Sequence, residues 1–145
     1  MRKIITLFIY VFLACFVFVS CKDEVGTTIT DESVKDITGT WKIISLTRNG
    51  EQLAQRMDLS KFKITFKSDG TYILEDKMAF PVSDAGAYKL GDPQYPFSLV
   101  LTQQNQPAQN IKFQFPVIEG KRQLSLTFSP GCSGNTYQYN FVREN

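Results

Sequence analysis

The 145-residue sequence contains no histidine. This absence excludes the Ser-His-Asp and Cys-His arrangements, in which a histidine activates the nucleophile, and it removes the commonest protein ligand of transition metals. Of the three cysteines, Cys15 and Cys21 lie within and at the end of the N-terminal apolar segment, so a zinc site would need Cys132 plus carboxylates only, which is not how such sites are built. We therefore expect no metal and no cofactor.

Clustered acidic residues are also scarce in the body of the chain. Glu75, Asp76 and Asp84 are the only closely spaced set. Adjacent strand residues such as Glu75 and Asp76 point to opposite faces of a sheet, so they do not make an obvious general acid–base pair. We expect a protein that is not an enzyme, and a carboxylate pair at the mouth of a cavity would reopen the alternative.

The N-terminus has the organisation of a signal peptide. Arg2 and Lys3 precede an apolar stretch of 16 residues, Ile4–Val19, which is interrupted by Thr6. A helix that spans a bilayer needs about 20 apolar residues, whereas this length suits the apolar region of a signal peptide with small Ser20 at the cleavage site. We interpret residues 1–20 as a lipoprotein signal peptide. An ordinary cleaved signal and an uncleaved short anchor are the alternatives.

Cys21 ends the apolar stretch. Phe18-Val19-Ser20-Cys21 resembles the lipobox of bacterial lipoproteins, in which the cysteine becomes a lipidated N-terminus bearing palmitate-like chains. Several acyl chains anchor a protein stably because each buried CH₂ contributes about 0.8 kcal/mol. Lys22-Asp23-Glu24 is similar to the tag on surface-exported lipoproteins of some Gram-negative bacteria. The resemblance implies lipid anchoring in the outer membrane of the cell envelope, on the periplasmic or the cell-surface side.

The chain that follows the signal peptide carries no net charge. Loss of Arg2 and Lys3 lowers Lys+Arg from 16 to 14, which equals the 14 Asp+Glu. A neutral body argues against nucleic acid as a partner, because phosphate binding needs a clustered basic face. Cys132 is the single cysteine after Cys21, so no disulfide can form within the body. Whether Cys132 is a packed apolar residue or a reactive thiol stays open.

Residues 21–36 form the lipidated cysteine and a polar, flexible tether, and residues 37–145 form a single domain. From Thr40 onward, apolar and polar residues alternate with the period of two that is typical of half-buried strands; Trp41, Ile43 and Ser45, for example, share one face. Asp69-Gly70 predicts a hairpin. Glu51–Leu59 predicts one short helix, because Leu53 and Met57 lie four residues apart.

This pattern predicts eight strands. They are expected from residue 40, at 62–66, 72–74, 86–90, 97–103, 110–117, 123–128 and 137–143. Short antiparallel strands in one small domain pair as two sheets or close on themselves, and closure removes exposed edges. We predict an all-β fold, a roughly eight-stranded antiparallel up-and-down barrel with one short helix.

A barrel of eight strands is filled by its own side chains or holds one small ligand. Apolar and aromatic walls suit a small apolar or amphipathic molecule, although the same residues could equally form a packed core. The candidate lining residues are Phe62, Phe66, Tyr72, Phe113, Phe115, Leu126 and Tyr139.

Two motifs at the ends of the predicted barrel resemble the lipocalins. Gly39-Thr40-Trp41 opens the first strand and resembles the Gly-x-Trp signature of that family, while Arg143 ends the last strand, where lipocalins place the arginine that packs over the tryptophan. The body is similar to lipocalin-like lipoproteins of Gram-negative bacteria. The resemblance implies structural closure by Gly39, Trp41 and Arg143. The alternative for Trp41 is an ordinary core residue of a β-sandwich.

Two functions follow from this prediction. One is a membrane-anchored, lipocalin-like lipoprotein that binds a small apolar or amphipathic ligand inside the barrel. The other is a surface interaction module with a filled barrel, which binds a protein or glycan through loops such as Gly91–Phe97, Gln103–Asn110 and Ser129–Thr136. Contiguous exposed apolar surface would favour the second.

Overall fold

The computed structural model describes residues 31–53, 57–131 and 134–144. The barrel lies within the compact unit Glu32–Asn145. Residues 1–20, Cys21, most of the tether and Cys132 lie outside the described residues, so what the sequence predicts for them stays a prediction. In the part that is described, no helix is long and apolar enough to cross a membrane.

The regular structure of the described residues consists entirely of β-strands. The strands are β1 (Gly39–Arg48), β2 (Glu51–Gln52), β3 (Lys63–Phe66), β4 (Thr71–Glu75), β5 (Gly86–Leu90), β6 (Ser98–Gln103), β7 (Gln109–Gln114), β8 (Val117–Ile118), β9 (Lys121–Phe128) and β10 (Tyr137–Arg143). All eight strands that the alternation predicts are present. The additional strands β2 and β8 have two residues each.

Eight strands close into an antiparallel barrel. Their order around the barrel is β1, β3, β4, β5, β6, β7, β9, β10, and β10 pairs back with β1. Because each strand lies beside its neighbour in the chain, the barrel has the predicted up-and-down topology, and no barrel strand is left with a free edge. The short strands β2 and β8 pair with β1 and β9. The predicted fold class is thus confirmed.

The predicted helix at Glu51–Leu59 is wrong where the structure describes this segment. Asn49 and Gly50 both have positive φ, 52° and 86°, which is the geometry of the tight hairpin turns that Asn-Gly favours. The chain therefore reverses at once, and Glu51 and Gln52 pair with the end of β1. The turn at Asn49 and Gly50 fixes the direction of the chain before the predicted helix begins. It therefore outweighs the helical spacing of Leu53 and Met57.

A β-bulge in β1 shifts the alternation that begins at Trp41. The register with β10 slips between Ile43 and Ser45, so one extra residue on β1 faces its partner strand. Leu46 consequently turns into the core with 1% of its surface exposed, and Ile44 is left 45% exposed. Strict alternation from the sequence had grouped Ser45 with Trp41 and Ile43.

The core fills the inside of the barrel between two ends that differ in construction. We call the end with Gly39 and Arg143 the lower end, and the end with Arg48 and Tyr137 the upper end. Residues 31–38, the β3–β4 and β5–β6 turns and the β7–β9 connection lie at the lower end. The β4–β5, β6–β7 and β9–β10 loops lie at the upper end, and the β1–β3 segment leaves β1 there.

Candidate functional site

Trp41 and Arg143 meet at the lower end, where the first and last strands pair. Their Cα atoms are partners in the β1–β10 register, and the guanidinium carbon of Arg143 lies 5.0 Å from the centroid of the Trp41 ring. Trp41 is fully buried, and its indole N–H donates a 2.8 Å hydrogen bond to the carbonyl oxygen of Ile37. Arg143 Nη2 donates to the carbonyl oxygen of Asp36 at 3.0 Å. The pair therefore ties the segment before β1 to both closing strands.

Gly39 makes this arrangement sterically accessible. Its φ of 115° lies in a region that residues with a Cβ rarely adopt. A Cβ at this position would lie 3.5 Å from Cδ of Arg143, so the arginine stem passes directly over the glycine. The sequence Gly39-Thr40-Trp41 thus combines a backbone conformation with a path for the side chain that covers the indole.

We predict that Arg143→Met lowers the free energy of unfolding by about 1–2 kcal/mol, because it removes a cation–π contact and a hydrogen bond. Denaturant unfolding followed by the fluorescence of Trp41, the single tryptophan, measures the change. Arg48→Met is the matched control, since Arg48 is an exposed residue at the opposite end of β1, and it should change stability by less than about 0.5 kcal/mol. Equal losses in both variants would contradict the role of Arg143.

Six of the seven predicted lining residues lie in the buried core. Phe62, Phe66, Tyr72, Phe113, Leu126 and Tyr139 each expose 1% or less of their surface. The seventh, Phe115, is half-buried and follows β7 at the lower end. Its ring contacts Trp41 edge-on with centroids 5.8 Å apart, so it extends the aromatic closure of the lower end.

Aromatic rings occupy the upper half of the interior. Phe62, Phe80, Phe128 and Tyr139 contact one another, with ring centroids between 5.0 and 6.5 Å apart. Such edge and tilted contacts add about 0.5–1.5 kcal/mol per pair beyond burial. Two of the four rings, Phe80 and Phe128, are not among the predicted lining residues.

Phe80 belongs to a segment that covers the upper end, Met78–Val82, which we call the cover segment. Tyr139 donates its hydroxyl hydrogen to the carbonyl oxygen of Ala79 at 2.5 Å, and the amide oxygen of Gln103 accepts a 2.9 Å hydrogen bond from the backbone N–H of Ser83. Val82 is 4% exposed. The signal in the sequence was an apolar run, Met78-Ala79-Phe80-Pro81-Val82, in which proline argues against a central strand.

Tyr72 presents a polar atom inside the barrel without a visible partner. Its hydroxyl oxygen is buried and has no hydrogen-bond partner among the described residues, whereas the hydroxyl of Tyr139 is satisfied by the cover segment. Burial, reinforced by the charge of Asp84, raises the pKa of Tyr72 to about 12. An unpartnered buried hydroxyl costs about 1–3 kcal/mol, and a hydrogen bond to a water molecule or to a polar group of a ligand would remove this cost.

Stability should fall between pH 10 and pH 12. Burial raises the pKa of Tyr72 and of Tyr139 from 10 to about 12, so each contributes stability below pH 10 that is lost as the pH rises through the folded-state pKa. Two pKa units correspond to about 3 kcal/mol per group. Between pH 10 and pH 12, the free energy of unfolding should fall less in Tyr72→Phe than in the wild-type protein. In Tyr95→Phe it should fall as in the wild-type protein, because Tyr95 is 52% exposed.

A groove of about 890 Å³ lies at the lower end, outside the barrel. It runs between residues 32–36 and the lower ends of β1, β9 and β10. Sequence reasoning did not predict this site, because its walls come from segments far apart in the chain. Five cations line it, Lys35, Lys42, Lys121, Arg122 and Arg143, together with three carboxylates, Glu32, Asp36 and Glu144.

The carboxylates of the groove already have partners. Glu144 accepts hydrogen bonds from Lys63 at 2.8 and 3.0 Å, which lower its pKa, and Glu32 forms an ion pair with Lys35 that lowers the pKa of Glu32. Asp36 accepts from a backbone amide two residues on, at 2.8 Å, and its pKa is lowered chiefly by this bond. Of the five groove cations, Lys35 is engaged by Glu32, and the other four form no salt bridge with a described residue.

The acidic residues considered as a catalytic set are not gathered in the interior. Glu75 ends β4 and is exposed, Asp76 is exposed with a φ of 63°, and the carboxylate of exposed Asp84 accepts a hydrogen bond from the hydroxyl of Ser83. No group of three or more potential metal ligands occurs within residues 31–53, 57–131 and 134–144.

Comparison with known protein families gives one assignment. Residues 19–142 match a family described as a domain of unknown function, DUF5004. The chain belongs to this family. The comparison with curated proteins gave no match, and neither did the comparison with solved structures. The DUF5004 domain of this chain is thus an eight-stranded antiparallel barrel, and its family description carries no activity.

Proposed function

We propose that this protein is a lipocalin-like lipoprotein, anchored to the outer membrane through Cys21, whose barrel binds a small amphipathic ligand. The closed barrel, the Gly39-Thr40-Trp41 opening and the Arg143 guanidinium over the indole support the lipocalin-like assignment. The lipobox-like tetrad before Lys22 supports the anchor. The observation that carries the ligand is the unpartnered hydroxyl of Tyr72 inside an otherwise apolar core.

The construction of the two ends supports entry of the ligand through the upper end of the barrel. The lower end is closed by the Trp41–Arg143 contact, whereas the pairing of β1 with β10 runs the length of both strands, from Trp41 and Arg143 to Arg48 and Tyr137. The upper end is covered by the cover segment. Tyr139 donates a hydrogen bond to Ala79 in this segment, and Gln103 accepts one from the N–H of Ser83, directly after it. Displacement of this loop segment would break these hydrogen bonds and expose Phe80 and Val82, but it would leave the pairing of the barrel strands intact and open a route to Tyr72.

The chemistry of the interior indicates the class of ligand. The walls are apolar and aromatic, and a pKa of about 12 keeps Tyr72 protonated at neutral pH, so its hydroxyl is available as a donor. A ligand with an apolar body and one acceptor oxygen would cover the walls and satisfy the hydroxyl. An ionised ligand group buried here would lack a countercharge, which is costly.

A second candidate function, binding of a protein or glycan through the loops, is favoured by a different observation. Phe97 and Tyr95 in the β5–β6 loop are 80% and 52% exposed. Exposed apolar residues of this size mark interaction sites when they cluster. This function needs no interior cavity. The β5–β6 loop lies at the lower end, whereas the other two candidate loops, Gln103–Asn110 and Ser129–Thr136, lie at the upper end, so binding through Phe97 and Tyr95 is compatible with the first function.

We predict opposite effects of Tyr72→Phe on ligand and on stability. Protein purified from native membranes without denaturation should carry a small molecule detectable by mass spectrometry, and Tyr72→Phe should lose it. In ligand-free protein, the same substitution should raise the free energy of unfolding by about 1 kcal/mol or more, because an unsatisfied hydroxyl is removed.

Tyr88→Phe is the control for this experiment. The hydroxyl of Tyr88 donates to the carbonyl oxygen of Lys67 at 3.0 Å, at the lower end, so its loss should cost about 1 kcal/mol and leave the bound molecule in place. Absence of any bound molecule, together with failure of the wild-type protein to enhance the fluorescence of anilinonaphthalene sulfonate, would contradict ligand binding.

Lipidation of Cys21 is predicted to appear in the mass of the N-terminal peptide. The peptide from membrane-extracted protein should begin at Cys21 and carry the added mass of a diacylglyceryl group and an N-acyl chain. Cys21→Ser should instead retain residues 1–20 or release an unmodified chain. An unlipidated N-terminus in the wild-type protein would contradict the anchor and leave the prediction for the barrel interior unaffected.

A further inference from the structure

We propose that the lower end of the barrel docks on the surface of a phospholipid bilayer, with apolar loop residues inserted among the lipids and the groove cations on their phosphates. The inference deepens the proposed function, and it rests on the membrane anchor that function includes. It concerns the orientation of the body on the membrane, which an anchor alone does not fix.

Most of the large exposed apolar residues of the described chain lie at the lower end. Of seven such residues, five belong to segments at this end. Phe97 is 80% exposed and Val34 65%, and the others are Tyr95 at 52%, Val117 at 54% and Ile118 at 46%. Aromatic and aliphatic residues on exposed tips are the groups that enter the boundary between headgroups and acyl chains.

Backbone hydrogen bonds hold the segments that carry these residues side by side. The N–H of Lys35, next to Val34, donates to the carbonyl oxygen of Pro93 at 2.8 Å, and the N–H of Phe113 donates to the carbonyl oxygen of Phe97 at 2.9 Å. The β8–β9 hairpin follows β7 at the same end and presents Val117 and Ile118. The exposed apolar residues are therefore carried on a firmly paired platform.

Two of the groove cations, Arg122 and Arg143, are each held by an aromatic ring and by one hydrogen bond to the backbone. The Arg122 guanidinium carbon lies 5.3 Å from the centroid of the Phe115 ring, and Arg143 lies over Trp41 at 5.0 Å. Each also donates one hydrogen bond to a backbone carbonyl oxygen, at 2.9 and 3.0 Å. A guanidinium has five N–H donors, so an arginine held by a ring and one carbonyl keeps donors for a further anion.

The groove offers a net positive charge to that anion. Lys42 and Lys121 join the two arginines, while Glu32 and Glu144 are engaged by lysines. Lipid phosphates carry the complementary charge, and a basic residue close to an anionic membrane surface contributes about 1 kcal/mol to binding.

The point at which the tether joins the body favours a bilayer as the partner that the lower end contacts. Ten residues separate Cys21 from Glu32, so the chain between them spans at most about 40 Å. Glu32 lines the groove at the lower end. The upper end lies farther by about 30 Å, the length of a strand such as β1 at about 3.3 Å per residue. An anchor at Cys21 would therefore be joined to the body at its lower end.

The test uses the full chain, produced in a Gram-negative host and reconstituted by detergent removal into vesicles of equimolar phosphatidylcholine and phosphatidylglycerol. Phe97→Trp places a reporter on the lower end, and Gln104→Trp places a matched reporter on an exposed loop of the upper end. Lipids with brominated acyl chains should remove most of the added emission of the Phe97→Trp protein. The same lipids should leave the added emission of the Gln104→Trp protein unchanged. The emission of Trp41, measured on the chain without an added tryptophan, is subtracted in both cases.

Charge variants in the Phe97→Trp background test the groove. Lys121→Glu should lower the ratio of quenched to unquenched protein about fivefold, the equivalent of about 1 kcal/mol. Lys89→Glu, on the exposed face of β5 and away from the groove, should not change it. Equal effects of the two variants would overturn the role assigned to the groove.

Two results would overturn the proposal as a whole. One is equal quenching of the two reporters, or none at Phe97→Trp. The other is protection of the Phe97→Trp reporter from both brominated lipid and aqueous iodide, because a protein partner would then occupy the lower end. The mass of the N-terminal peptide is read separately, so a failed anchor is distinguished from a body that does not dock.

Discussion

The barrel depends on the closure between its first and last strands. Seven of the eight pairings between neighbouring barrel strands join strands that are consecutive in the chain, the two-residue strands β2 and β8 left aside. In the eighth, β10 must return to β1 across almost the whole length of the domain. Such a long-range contact costs chain entropy before it is rewarded. Trp41 and Arg143, register partners at this seam, supply burial, a cation–π contact and two hydrogen bonds there, and Gly39 provides the positive φ with which β1 begins.

The seam also divides the molecule into ends with different properties. At the lower end, strand pairing, the Trp41 indole and the Arg143 guanidinium hold the structure. The outer surface there presents exposed apolar residues beside the groove cations. At the upper end, the cover segment is fixed by the packing of Phe80, by a hydrogen bond from Tyr139 to Ala79 and by the one that Gln103 accepts from Ser83 directly after the segment. A ligand that enters from above and a membrane that is met from below use separate surfaces, so the two proposed interactions do not compete for the same residues.

Sequence periodicity was sufficient for the strands because each has one buried face. It was insufficient wherever a local backbone event changed the phase or direction of the chain. The bulge near Ser45 exchanged the faces of Ser45 and Leu46, and the Asn49-Gly50 turn replaced the start of the predicted helix with β2. The cover segment was missed because its apolar residues belong to no strand. Phe80 reaches the interior from a loop, which no alternation indicates.

The sequence by itself determined the number of strands, their order and most of the core, because side-chain alternation reports directly which face of a strand is buried. It also placed Trp41 and Arg143 at opposite ends of the domain's chain. Only the tertiary structure decided which side chains meet. The unpartnered hydroxyl of Tyr72 depends on every neighbour around it, and the lower groove on residues from five separate segments. Such juxtapositions arise from closure of the barrel, and no local pattern encodes them.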